Sequence, residues 1–251
     1  MTNIAQSSIG AGGLLRNWRQ RRRMSQLDLA SSAQVSTRHL SYVETGRSTP
    51  SRELLLHLAR HLDVPPREQN DLLLAAGYAP TFSELDLGDP AMRPVLTAID
   101  AILTGSEPNP TLVMDRYWNL VRANAAALTL VDGIAPELLG PPLNVLRVTL
   151  HPDGLAPSVV NFDAVAAHLI HRLRRQHAIS GDPVLADLLA EAEALAPSAS
   201  DIHPLNAAAA LELHLRRNGI DARYLSVVST FGTALDITAS ELTIETFYTV
   251  G

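Results

Sequence analysis

The chain has 251 residues, of which 46% are apolar and none is cysteine. That is room for two modest domains with buried cores, and it excludes a disulfide framework or a thiolate metal site; no apolar run approaches the roughly 20 residues of a membrane span, and the N-terminus lacks the charged-then-apolar order of a secretion signal, so a cytoplasmic protein is expected. The net charge of −6 divides into +4 over residues 1–80 and −10 over residues 81–251: a basic first part favours phosphates through counterion release and the acidic remainder does not, which suggests a DNA-binding head on a body with another task.

Residues 1–11 are small and polar and read as a loose arm. Residues 12–24 read as a helix with Leu14, Leu15 and Trp18 on one side, carrying Arg16, Arg19, Arg21, Arg22 and Arg23. Cations near a helix C-terminus are favoured by the dipole, and residues 21–23 are also placed to meet a nucleic-acid backbone. Ser25 is a good N-cap for a second helix that runs to about Ser32, with Leu27 and Ala30 sharing a face. Residues 33 and 34 make a turn and Val35 is an apolar plug. Ser36 caps a third helix, which stops at Gly46, a residue suited to the left-handed C′ position.

In that third helix Leu40 and Val43 point one way, towards a core. Arg38, Ser41, Tyr42 and Thr45 point the other way, with Thr37 at the edge. A guanidinium, hydroxyls and a phenol on one face are the equipment for reading base edges in a major groove. Residues 52–62, with Leu54, Leu55, Leu58, Ala59 and Leu62 inward, and residues 67–76, with Leu72, Leu73 and Ala76 inward, complete a five-helix domain over residues 1–80. The pair of helices needs them to bury its back.

The stretch from Met24 to Pro50 resembles the Cro/cI-type helix-turn-helix, also called the xenobiotic-response-element family, through Gln26, Leu27, Ala30, Val35, Ser36, Leu40, Glu44, Gly46, Arg47 and Pro50. The resemblance implies that Gln26 contacts phosphate, that Thr37, Arg38, Ser41 and Tyr42 face the groove, and that Arg47 reaches the DNA backbone. It also implies an ion pair between Arg19 and Glu44 that locks the first helix to the reading helix.

Residues 81–110 read as a linker with one short helix, 95–103, bounded by Gly88, Pro90, Pro94 and a break at 105–110. The third part, residues 111–251, changes period. Segments 111–115 and 118–124 flank Arg116 and Tyr117 as a hairpin. Helical pieces follow at 125–131, 136–150 (interrupted by Pro141 and Pro142), 162–177 and 183–195, the last capped by Asp182 and stopped by Pro197. Residues 209–216 alternate strictly, Asn218 and Gly219 form a strong hairpin signal, and 222–231 and 241–250 are the returning strands, separated by a loop at 232–239.

Two strands, several helices and three strands, in that order, are the plan of PAS-type sensor domains, with a five-stranded antiparallel sheet and helices on one face. The fold expected for the whole chain is therefore mainly α, with an α+β second domain. Residues 113–127 and 226–247 resemble the MmyB-type regulators, which join a Cro/cI-like head to a PAS-like ligand-binding domain. The resemblance implies a small lipophilic ligand such as a fatty acid.

An apolar pocket with few polar anchors suits such a ligand, and its candidate lining is Trp118, Val121, Leu128, Phe162, Leu169, Leu173, Leu213, Val228 and Phe231. Arg147 and Arg122 are candidate carboxylate partners. The arginine run at 172, 174 and 175 reads as a helix's solvated end or as a contact for a ligand head group or a partner. His168 and His171 have chelating spacing on one helix, but no third ligand falls at a clear offset, so no metal is expected. A phosphate loop and a nucleophile elbow are absent, and nothing positions Asp115, Asp153 and Asp163 together, so no enzyme and no cofactor are expected. The sequence thus points to a DNA-binding transcription regulator, a repressor acting as a homodimer on a double-stranded operator and responding to a lipophilic molecule. The alternative is a DNA-bound scaffold whose PAS-like domain recruits a protein without a small ligand.

Overall fold

A computed structural model describes residues 10–199, 212–217, 219–232 and 236–250. The chain divides into two compact units, residues 1–83 and 84–251. The first is a bundle of α1 (Ala11–Arg21), α2 (Gln26–Ser32), α3 (Thr37–Glu44), α4 (Arg52–His61) and α5 (Pro66–Ala75). Local chemistry sets each start. Ser25 and Asp28 form a reciprocal capping box on α2, Ser36 accepts from the His39 amide on α3, and Ser51 accepts from the Leu54 amide on α4. Leu15, Trp18, Leu29, Ala30, Leu40, Val43, Leu58 and Leu62 then pack into one core.

Two features of the head differ from the sequence reading. Leu27 does not share the buried face of α2; it is 66% exposed, and Leu29 takes that place. Arg22 is not free for a nucleic-acid backbone, because its Nε donates to the Leu62 carbonyl at 2.7 Å and its terminal nitrogen to the Asp63 carbonyl at 2.8 Å. It thereby closes the orphan carbonyls at the end of α4.

Gly12 explains how closely α1 and α3 meet. A Cβ built there falls 2.1 Å from the Val43 carbonyl oxygen, so only glycine lets the two backbones approach this near.

The second unit holds α6 (Arg93–Gly105), β1 (Thr111–Met114), β2 (Leu120–Ala123), α7 (Ala125–Thr129), α8 (Pro136–Leu139), α9 (Val145–Leu150), α10 (Phe162–Ser180), α11 (Pro183–Leu195), β3 (Glu212–Arg217), β4 (Ile220–Thr230), α12 (Ile237–Glu241) and β5 (Thr243–Thr249). The five strands form one antiparallel sheet in the order β2-β1-β5-β4-β3. Arg217 pairs with Ile220, so the turn between β3 and β4 has two residues; Asn218 of that turn lies outside the described residues, as do 1–9, 200–211 and 233–235.

Alternation along the strands separates two apolar layers. On one side α6 places Ile99 and Leu103 against Val113, Leu242 and Ile244. The stretch read as a linker therefore contributes a packed helix to the second unit, which begins at Glu84. On the other side α9, α10 and α11 bury Leu146, Leu150, Ile170, Leu173, Leu185 and Leu188 with Met114 and Trp118. The region read as a loop at 232–239 contains the start of α12, capped by Asp236, whose side chain accepts from the Ala239 amide. No helix among the described residues is long and apolar enough to cross a membrane.

Candidate DNA-reading face and ligand cavity

The reading helix is held from behind. Arg19 Nε donates to Glu44 Oε1 at 2.6 Å, its second terminal nitrogen donates to Oε2 at 2.8 Å, and its first to the Met24 carbonyl at 2.7 Å. Both side chains are buried, and a forked guanidinium–carboxylate contact fixes orientation as well as distance. Burial opposes the Glu44 charge, but hydrogen bonds from Arg19 and Gln26 and the Arg19 charge outweigh it and hold the carboxyl below its ordinary range. Gln26 donates its amide to Glu44 Oε2 at 2.8 Å, so this side chain joins α2 to α3 as well as standing at the edge of the face.

Thr37, Arg38 and Thr45 are exposed on the opposite side of α3, with Ser41 and Tyr42 half-buried between them. Arg38 Nε donates to the Tyr42 hydroxyl at 3.0 Å and its guanidinium lies 5.4 Å from the ring centroid. That contact pre-orients the guanidinium and leaves its terminal nitrogens for a forked contact. Gly46, at φ +72°, ends the helix, and Arg47, exposed, follows with its amide bonded to the Tyr42 carbonyl at 2.8 Å.

In the second unit a cavity of about 420 Å³ lies between the inner sheet face and the helices. This is within the roughly 300–1,000 Å³ of small-molecule sites. Trp118, Leu128, Leu169, Leu213 and Val228, five of the residues expected there, line it. The others do not, each for a geometric reason. Val121 and Phe231 pack with α6 on the far side of the sheet. Leu173 is buried among the residues of α10 and α11, and Phe162 packs at the rim of both inner clusters.

The expected carboxylate partners are elsewhere. Arg147 is forked onto Glu191 at 2.7 and 2.8 Å, and Arg122 bonds Asp100. Asp115 is absorbed by the β1–β2 turn, where Oδ1 accepts from the Tyr117 and Asn119 amides at 2.8 and 2.9 Å. Within that turn Trp118 adopts φ +66°, an uncommon conformation for a bulky residue, and its Nε1 donates to Gln176 at 3.0 Å.

The lining is mostly apolar, with four polar side chains: Thr149, His168, Ser226 and Glu245. Thr149, Ser226 and Glu245 went unread in the sequence, and His168 was weighed there only as a metal ligand. One signal could have found them. Val165, His168, Leu169 and Arg172 share a helical stripe, and Glu245 and Phe247 alternate with the outward Ile244 and Thr246. Glu245 is buried; its Oε1 accepts from Ser226 at 2.7 Å and its Oε2 from Arg172 at 2.9 Å. Arg172 in turn stacks 4.6 Å from the centroid of a Trp118 ring. Burial, and then the Arg172 charge, push the His168 imidazole below its ordinary value, against the opposing pull of Glu245. Among the described residues no group of three or more His, Asp or Glu could hold a metal.

A helix-turn-helix unit joined to a unit with a largely apolar cavity defines a ligand-binding transcription regulator. A family model described as a helix-turn-helix domain matches residues 11–72, and one described as the MmyB-like transcription regulator ligand binding domain matches residues 95–249, more than half of the chain. The chain belongs to the MmyB-like transcription regulators. No curated protein matches it significantly.

Proposed function

We propose that the protein is a sequence-specific, homodimeric repressor of the cytoplasm whose operator affinity is set by a small lipophilic molecule, a fatty acid or a similar single-chain lipid, held in the second unit. One observation carries this reading: a buttressed reading helix and a largely apolar cavity of about 420 Å³ occur in the same chain. Thr37, Arg38, Ser41 and Tyr42 read base edges, and Gln26 and Arg47 hold phosphates. Two such helices in a dimer meet successive major grooves roughly 34 Å apart, which makes the operator a near-palindrome. The ligand acts by binding two arrangements of the protein with different affinity.

The test has two parts. Selection from a random duplex library should return a near-palindrome, and Arg38→Ala should relax preference at one position per half-site by about 1–3 kcal/mol. Native mass spectrometry of the full chain, followed by denaturation and organic extraction, should count two subunits and release a lipid. Selection that returns no sequence preference would remove the regulator reading. An empty protein that also refuses added lipids would favour a DNA-bound scaffold that recruits a protein.

A further inference from the structure

The polar end of the cavity is unequal in its spare capacity. The Ser226 hydroxyl hydrogen is spent on Glu245 and the Thr149 hydroxyl hydrogen on the Val145 carbonyl, at 2.7 and 2.8 Å. What these groups offer a guest is lone pairs. The Glu245 carboxylate, each oxygen accepting one bond, likewise offers only lone pairs. His168 makes no side-chain hydrogen bond among the described residues, and a neutral imidazole has one donor and one acceptor. Arg172, the cation in reach, does not line the cavity; it is engaged by Glu245 and lies against Trp118. Arg122 and Arg147 are paired away from it. Glu245 is thus the one formally charged group on the wall among the described residues.

We infer that this cavity takes its lipid with an uncharged, hydrogen-donating head, a primary alcohol or an un-ionised acid, that donates to Glu245 or Ser226, and that it discriminates against the ionised carboxylate. An ionised head would stand beside the buried Glu245 carboxylate among apolar side chains, with one imidazole N–H to answer it, and burying an unpaired charge is costly. A hydroxyl head meets two acceptors and leaves the bond between Glu245 and Arg172 intact. The inference rests on the proposed lipid-binding role of the cavity and narrows the ligand class.

The test is equilibrium binding of 1-dodecanol and of sodium dodecanoate to the full-length protein at pH 8, by displacement of a fluorescent apolar probe. Dodecanol should bind tighter by about tenfold or more. In Glu245→Gln, confirmed folded by circular dichroism, the amide supplies a donor and Arg172 is released, so dodecanoate should gain and the ratio should fall by about tenfold. Dodecanoate binding as tightly as dodecanol to the unaltered protein would overturn the head-group inference while leaving the lipid pocket standing. A ratio unchanged in a folded Glu245→Gln variant would overturn the role of Glu245. Binding of neither compound would remove the pocket reading itself.

Discussion

In the head, Arg19 and Glu44 meet at 2.6 Å among interlocked leucines, and the remaining nitrogens and oxygens of the pair are taken by Met24 and Gln26. In the body, Arg172 and Glu245 meet at 2.9 Å beside a cavity, with lone pairs left over and a bare imidazole nearby. The residue types are the same and both pairs bridge distant segments, yet they do different work. A buried ion pair whose every partner is internal fixes one arrangement of the chain, here the angle of the reading helix. A half-buried pair with unused capacity facing a cavity has something left to offer a visitor. Counting what is unspent, rather than what is charged, separates the brace from the binding site.

The sharpest way to break this contrast is to remove the brace. Glu44→Ala strands a buried guanidinium and should cost about 3–5 kcal/mol, measured by urea unfolding followed at the Trp18 indole NMR signal. A cost near zero would put the Glu44 contact among decorative surface pairs. The same brace gives the head an acid sensitivity of known sign. The folded Glu44 carboxyl lies below its ordinary value, so its stabilisation is complete above the unfolded value of about 4.3 and is lost as pH falls through the folded value. Glu44→Gln should be less stable at pH 7 and lose less between pH 5 and pH 3 than the unaltered protein.

Next in size is a matched pair of insertions. Leu40 is 1% exposed in the closed core of the head, and Leu40→Trp should cost about 1–3 kcal/mol or more by overpacking. Leu169 faces the cavity, so Leu169→Trp should leave the unfolding midpoint within a few degrees while abolishing lipid uptake. Equal damage from both would mean that the body is as tightly filled as the head. Smallest of all, Arg147→Ala should change stability by no more than about 1 kcal/mol, because its pair with Glu191 is open to solvent, and it should leave lipid affinity unaltered. A loss of affinity would return Arg147 to the ligand.

The head was legible because its signals are local. Caps at Ser25 and Ser36, the stop at Gly46 and a polar face on α3 all lie within a few residues of what they control. Leu27 misled because a seven-residue helix offers two plausible apolar stripes, and only the packing of Leu29 against Leu40 and its neighbours chooses between them. In the body, the succession of strands and helices along the chain and the alternation at Leu213 and Leu215 could be read, but not the order of strands in the sheet nor which of its sides holds the cavity. With α6 covering the far face, both faces are apolar, so Val121 and Phe231 look no different in sequence from Val228. Glu245 was hidden, and His168 was weighed only as a metal ligand, for another reason. A polar residue in a buried position announces a site only after the enclosure around it is known.

β5 carries one further consequence. Its alternate residues address two separate layers: Glu245 and Phe247 face the cavity, while Ile244 packs with Ile99 and Leu103 of α6 and Thr246 accepts from the Thr111 hydroxyl at 3.2 Å. The sheet at this point is one backbone thick, so any adjustment of β5 to a guest reaches α6 without passing along the chain. α6 is also the first α-helix after Ser83, where the covalent path arrives from the head. The two layers on either side of the sheet therefore share a single seven-residue strand, so a change on one face of β5 meets the other across one backbone.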